Sequence, residues 1–324
     1  MTKKTNIMRL LIVALAAVFL INSSTQSAPK DSTELVTMYS PEYVLKVNFY
    51  DIFSIDETSD VVRTLEDGTE ETYTREVTYF IRHLVKNLPD EGFQSIKISI
   101  DSMRYKLTDG SKSYEFNSQA NDYPSKYTRE FKMYSALLGA EYVITYSPYG
   151  DLAKVETDAL DKSAKEILES KFSIIRKFYL LSGMTQPRSE YLSDLKKLAL
   201  PNGEVAEDSV WECSMNFHLS SIAWSGKAKV HVSDYNVGNM TIRADIESME
   251  TKQGNCGFYD VSKLATINKS KASGSYEIVL TPRGALHRAD GQFDIEIEAS
   301  VNDLKFKETI KTKLQIKHIK QLRL

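Results

Sequence analysis

The chain has 324 residues, 41 Lys and Arg against 44 Asp and Glu, and a formal net charge of −3. Three of the basic residues, Lys3, Lys4 and Arg9, precede an apolar run, so the chain without them carries about −6, which argues against nucleic acid as the partner because duplex binding rests on clustered Lys and Arg. Its length permits one large domain or two smaller ones, and 18 Tyr with 13 Phe favour strands.

At the N-terminus, Leu10 to Ile21 is a twelve-residue apolar run behind a basic start, followed by small polar residues. That is the pattern of a cleavable bacterial-type signal peptide, with the cut expected after Ser27 and residues 1–27 removed. The alternative is an uncleaved anchor. No further apolar stretch is long enough to span a membrane as a helix, so no stable membrane span is expected after cleavage. The mature chain is expected to be exported, periplasmic or secreted.

Residues 28–157 read as an N-terminal antiparallel β half. Tyr43, Leu45, Val47, Phe49, Phe53 and Ile55 alternate on one face, as do Tyr73, Val77, Tyr79, Ile81 and Val85. A third run, Phe93 to Leu107, turns at Asp109-Gly110 into Tyr114-Glu115-Phe116, a favoured hairpin signal. Residues 158–200 change period and predict two helices. The first runs from Ser163 to Ser182, opened by the capping box Ser163-Ala164-Lys165-Glu166. The second runs from Ser189 to Ala199 and stops before Pro201. The end of the first helix is apolar almost all round, making Ile174, Phe178 and Leu181 candidate cavity residues, with an ordinary packed core as the alternative.

From about Val210 strands resume, giving a C-terminal β half over 201–324. A repeat at an offset of 134 residues aligns Tyr142–Leu152 with Tyr276–Leu286, each a strand, a Pro-x-Gly turn and a second strand. The fold class expected is therefore α+β and mostly β: two curved antiparallel sheets, pseudo-duplicated, with the helical pair packed between or across them.

The C-terminal strand carries Lys305, Lys307, Lys311, Lys313 and Lys317 opposite an apolar face. A hairpin through Val301-Asn302-Asp303 sets the acids Asp294, Glu296 and Glu298 beside them as cross-strand pairs. A basic stripe for anionic lipid or lipopolysaccharide is the competing reading.

Five histidines are scattered without ligand spacing, although His218 and His231 flank a probable hairpin. Cys213 and Cys256 form a candidate disulfide, export permitting one; alternatively Cys213 packs as a small hydrophobe. No nucleophile elbow, phosphate loop or dinucleotide fingerprint occurs, so no catalytic residue, metal ligand or cofactor is assigned and no enzyme is expected.

Leu200-Pro201, Val205 and Trp211 form a Leu-Pro-x3-Val-x5-Trp motif opening the second half. With Phe116-Asn117-Ser118, Tyr146–Gly150 and Thr281–Gly284, it resembles a family of uncharacterised exported bacterial mostly-β proteins. Asp208 and Ser209 stand where that family has Gly-Asp. The resemblance implies architecture and brings no activity.

Three functions of different class remain from sequence. One is a non-catalytic envelope protein binding an apolar or amphipathic ligand between sheet and helices. A second is a structural or protein-interaction component of the envelope. The third is a hydrolase with a dispersed site. The partner is thus an unknown envelope protein or a lipophilic ligand. An outer-membrane barrel fits less well, because of the helical middle and the lack of a terminal aromatic.

Overall fold

The computed structural model describes residues 38–39, 47, 49–87, 92–120, 130, 134, 138, 141–147, 152–156, 169, 171, 204–206, 209–236, 238–261 and 263–323. The chain divides into two compact units, Met1–Thr37 and Met38–Leu324, and the first lies outside the described residues together with the expected signal peptide and its cleavage site. The second is built from strands β1 (Met38–Tyr39), β2 (Phe49–Leu65), β3 (Glu70–Asn87), β4 (Gln94–Asp109), β5 (Lys112–Asn117), β6 (Glu141–Tyr146), β7 (Leu152–Glu156) and β8 (Val205–Ala206). It continues with β9 (Val210–Leu219), β10 (Ile222–Asn236), β11 (Asn239–Glu250), β12 (Asn255–Cys256), β13 (Ala265–Leu280), β14 (Leu286–Val301) and β15 (Leu304–Arg323).

All but β1 and β8, which pair with each other, belong to one thirteen-stranded sheet, eleven of whose strands run in the order β7-β6-β4-β3-β2-β15-β14-β13-β11-β10-β9, with β5 added on β4 and β12 on β13. Each half is a meander of antiparallel strands, as short connections favour, except that β6 passes over β5 to pair with β4 and β13 passes over β12 to pair with β11. The halves are joined by β15 on β2, in register from Phe306 opposite Leu65 to Arg323 opposite Phe49. The last long strand is thus zipped to the first. Among the described residues the sheet's two ends are β7 and β9, from the middle of the chain.

Alternation sorts the side chains. On β2, Phe53, Ile55, Glu57, Ser59, Val61 and Arg63 face inward and are buried. On β15 the inward set is Phe306, Glu308, Ile310, Thr312, Leu314 and Ile316, while the odd-numbered lysines face out. One hydrophobic core spans both halves, from Ile81 and Tyr105 to Trp224, Tyr276 and Phe293. Each large apolar side chain buried in it contributes about 1.5–3 kcal/mol. Of the anticipated runs, Tyr73–Val85 and the Asp109-Gly110 turn form, with Gly110 at φ 53°; the first forms from Phe49 on, while Tyr43 and Leu45 lie outside the described residues and Val47 sits in a turn.

Two inward glycines leave room for rings packed on the second half. A Cβ on Gly274 would lie 2.1 Å from the Gln292 carbonyl oxygen, and one on Gly291 would lie 2.6 Å from the Phe293 ring. The aromatic rings thus occupy the space a side chain would need.

The fold class expected from sequence is overturned. Among the described residues no α-helix is delimited, helical backbone being shown only at Glu130, Tyr134 and Glu169, and a single large sheet replaces the two that were expected, because β15 pairs with β2 from Phe306 to Arg323. The helical pair falls within 163–199, which lies outside the described residues except for Glu169 and Lys171. The 134-residue repeat reappears as two hairpins of one register: Thr145 opposite Lys154 and Tyr146 opposite Leu152, against Val279 opposite Arg288 and Leu280 opposite Leu286. Both hairpins belong to the same sheet, so the repeat does not divide the molecule into two.

Candidate functional site

The inward face that alternation builds carries a set of charged and phenolic groups that no local motif announces. Glu57 of β2 and Arg75 of β3 project inward, with Tyr105 of β4 two strands from Glu57. Glu130 and Tyr134, four positions apart on helical backbone, come down onto them. All five are at most 4% exposed. Arg75 Nη1 donates to Glu130 Oε1, and Arg75 Nη2 lies 3.7 Å from Glu57 Oε1, an ion pair too long for a hydrogen bond. Tyr105 Oη donates to Glu130 Oε2 at 3.2 Å, and Tyr134 Oη donates to Glu57 Oε1 at 3.2 Å.

Glu57 Oε1 also accepts the backbone N–H of Ser220 at 2.9 Å and the Ser59 hydroxyl at 3.3 Å. Ser220 and Ser221 sit at the tip of the β9–β10 hairpin with φ of 53° and 58°, the left-handed pair that a two-residue primed turn needs. The hairpin tip is buried, which is unusual for a connection, and the carboxylate accepts its Ser220 N–H. Close by, Arg63 Nη2 reaches Glu308 Oε1 at 2.7 Å and the Tyr259 carbonyl at 2.8 Å, while Tyr73 Oη donates to the same carboxylate oxygen at 3.0 Å.

Burial pushes the Glu130 carboxyl up to about 7, against the opposing pull of Arg75. Burial likewise raises Glu57, offset by Arg75 and by the donors on its oxygen. Arg75 stays charged: burial pulls its pKa down, but Glu130 and its other anionic and phenolic neighbours raise it well above the usual value. Two carboxyls thus face one guanidinium, and burial raises both against its pull. Arg75 Nε and Nη2 and the Ser220 hydroxyl make no hydrogen bond among the described residues. The arrangement ties elements together, and its members are enclosed by their neighbours.

A second concavity, of about 520 Å³, opens on the outer side of β3, β4 and β5. Glu76, Arg104, Lys106 and Glu115 give it charges of both signs, with Lys106 Nζ 3.7 Å from Glu115.

The sequence-derived site residues fare differently. Ile174, Phe178 and Leu181 lie outside the described residues. Cys213 and Cys256 are buried and not joined to each other, so the candidate disulfide is not formed and they pack apart: Cys213 Sγ lies 3.6 Å from Met215 Sδ, and Cys256 Sγ lies 3.5 Å from Ser221 Oγ. His218 and His231 are not brought together, since they occupy opposite ends of the β9–β10 hairpin. The charged cluster was missed because its members are spread from residue 57 to 308. A trace was visible: Glu57, Arg75 and Glu308 stand at inward parity on strand faces built mainly of apolar residues.

No protein-family model and no curated protein matches the chain. Among solved structures, one of lipid–protein interactions in lipovitellin aligns with 86% of this chain at 9% identity and a TM-score of 0.40. The chain spans only 26% of that lipovitellin chain. DynF from the dynemicin biosynthesis pathway of Micromonospora chersina aligns over 89% of this chain and 88% of its own, at 7% identity and a TM-score of 0.24. Acinetobacter baumannii OccAB4 aligns over 86% and 99%, at 9% identity and a TM-score of 0.19. At these scores the likenesses establish no shared fold and assign this chain no role.

Proposed function

We propose that the chain is an exported, non-catalytic protein of the cell envelope that acts as a structural or protein-interaction component. The observation that carries this reading is the occupied inner face of the sheet. Phe217, Trp224, Tyr276 and Phe293 are at most 3% exposed and pack with the rest of the core where a carrier would hold its ligand. Export rests on the N-terminal sequence. The outward faces of the long strands are rich in charge, as on β14 and β15, and do not form the apolar outer band that a lipid-embedded barrel requires. The mixed-charge groove beside β5 offers such a protein a surface for a polar, extended partner segment. Membership of the uncharacterised exported family is part of this proposal and brings no activity with it.

Native mass spectrometry of residues 28–324 recovered from the periplasm without detergent tests the reading. The expected spectrum shows the protein mass alone, as monomer or oligomer. A reproducible extra mass that denaturation releases as a lipid or other small molecule supports carriage instead and names the ligand class.

A further inference from the structure

The outer face of the sheet changes character along β15. Near the turn into β15, each lysine has an acid beside it. Lys305 Nζ lies 3.7 Å from Glu66, Lys307 Nζ lies 3.1 Å from Glu296, and Lys311 has Asp294 and Asp60 as its cross-strand neighbours. Further along, the lysines lose their acids: the row between Lys313 and Lys317 holds Asp290 and Asp56, but Asp290 is engaged by Gln315 and Arg288, and Asp56 accepts from Ser54 and Thr78. Lys313 stands between Gln292 and Thr58, Lys317 between Arg288 and Ser54, and Lys320 opposite Ile52. None of these three makes an ion pair among the described residues.

The same end of the sheet carries an apolar island on its outer side. The outward rows across β15, β2 and β3 are Leu322–Tyr50–Leu84, then Lys320–Ile52–Arg82, then Lys317–Ser54–Phe80. Tyr50, Ile52, Phe80 and Leu84 are half-buried, while Leu322 is 45% exposed. A register shift between His318 and Lys320 leaves Ile319 49% exposed beside them. At the border, Arg82 lies 5.5 Å over the Tyr50 ring and Lys97 adds a further cation, although these two are matched by Asp101 and Glu141.

Apolar tips flanked by long, unmatched cations suit a surface that is apolar beneath and anionic above: the stems lie along the apolar surface while the ammonium groups meet headgroups. Lysine near such a surface is attracted over about a Debye length, so three unmatched lysines act together where matched ones do not. We infer that the outer face of β2, β3 and β15, at the end holding Tyr50 and Leu322, docks the protein on a bilayer bearing anionic headgroups. This names a partner for the envelope reading above and rests on that reading only for its compartment. Vesicle binding and the native mass spectrum are measured separately, so either can fail alone.

The test is flotation of the mature chain with vesicles of phosphatidylglycerol and phosphatidylethanolamine, compared with pure phosphatidylcholine, at low salt and at high salt. The wild type is expected to float with the anionic vesicles only, and salt should release it. The triple variant Lys313→Gln, Lys317→Gln, Lys320→Gln should lose about fivefold in partition per lysine, or roughly 100-fold in all. The triple Lys305→Gln, Lys307→Gln, Lys311→Gln carries the same change in net charge and should lose far less. Leu322→Ser should weaken binding without changing its salt dependence. No flotation of the wild type, equal binding to neutral vesicles, or equal loss in the two triples overturns the inference. So does self-association through this face without vesicle binding.

Discussion

The backbone N–H of Ser220 donates to Glu57 Oε1 at 2.9 Å although the two residues are 163 positions apart. This bond carries the tip of the β9–β10 hairpin onto the inner face of β2, so one carboxylate joins a terminal hairpin of the sheet to its centre. Tyr134 and Ser59 donate to the same oxygen, and Arg75 faces it at 3.7 Å.

Glu57→Ala should therefore be among the most damaging single substitutions in the molecule. It strands a buried amide N–H and hydroxyls, and it weakens the charge balance around Arg75. Removal of one partner from a buried charged network costs about 3–5 kcal/mol. Urea unfolding should show the midpoint falling with little change in slope. A loss under about 1 kcal/mol would mean that water or a neighbour replaces the carboxylate.

Gly274→Ala should destabilise more than Gly68→Ala. At Gly274 the added Cβ meets a backbone carbonyl at 2.1 Å, which cannot swing away as a side chain does. Gly68 has open space around it and only its φ of 84° to oppose a side chain. Overpacking of this kind costs about 1–3 kcal/mol, against about 1 kcal/mol for an alanine held at positive φ. Thermal midpoints of the two variants, compared in one buffer, check the order.

The long strands were legible in the sequence because period-two alternation records which face is buried. Tyr73, Val77, Tyr79, Ile81 and Val85 could be placed on one face from their spacing alone, and all are buried. The β14–β15 hairpin was equally legible: Val301 pairs with Leu304, and Asn302 takes the φ of 50° that the turn requires. The union of the halves was not. Pairing of β15 with β2 joins residues some 250 positions apart, and alternation gives a strand its faces but not its neighbour. The charged cluster was illegible for the same reason. Glu57, Arg75 and Glu130 become a site only when three elements converge, and each reads singly as an acid or base in a chain with 26% charged residues.

The two thiols should resist alkylation in the native protein and both react once it is unfolded without reductant. Cys213 is 8% exposed and Cys256 is fully buried, and a buried thiol in apolar surroundings is a poor nucleophile. Mass spectrometry after iodoacetamide treatment reads the outcome directly. Two added groups under denaturant match free thiols, whereas none would reveal a disulfide and require that β9 and β12 be drawn together.

The buried ionisable groups should also give the protein a pH dependence made of two opposing parts. Glu130 has its carboxyl raised to about 7 by burial, against the pull of Arg75, so the folded state holds a proton that the unfolded chain releases near 4.5. Its contribution is present below pH 4.5 and lost as pH rises through 7; Glu57, also raised, has the same sign. His83 is the reverse. Burial lowers it to about 3, with Asp51 opposing, so its contribution is present above pH 6.5 and lost as pH falls through 3. The slopes oppose each other between pH 4.5 and 6.5, and single substitutions should separate them. Glu130→Gln should make the slope of stability against pH more positive across 4.5 to 7, by about 1.4 kcal/mol per pH unit at most. His83→Phe, which suits an apolar site beside the Phe53 ring 5.1 Å away, should make it more negative between 3 and 6.5. Urea unfolding of both variants and the parent at half-unit steps measures the slopes. Parallel curves for the parent and Glu130→Gln would mean that Glu130 ionises near its ordinary value, leaving the cluster ionic throughout this range.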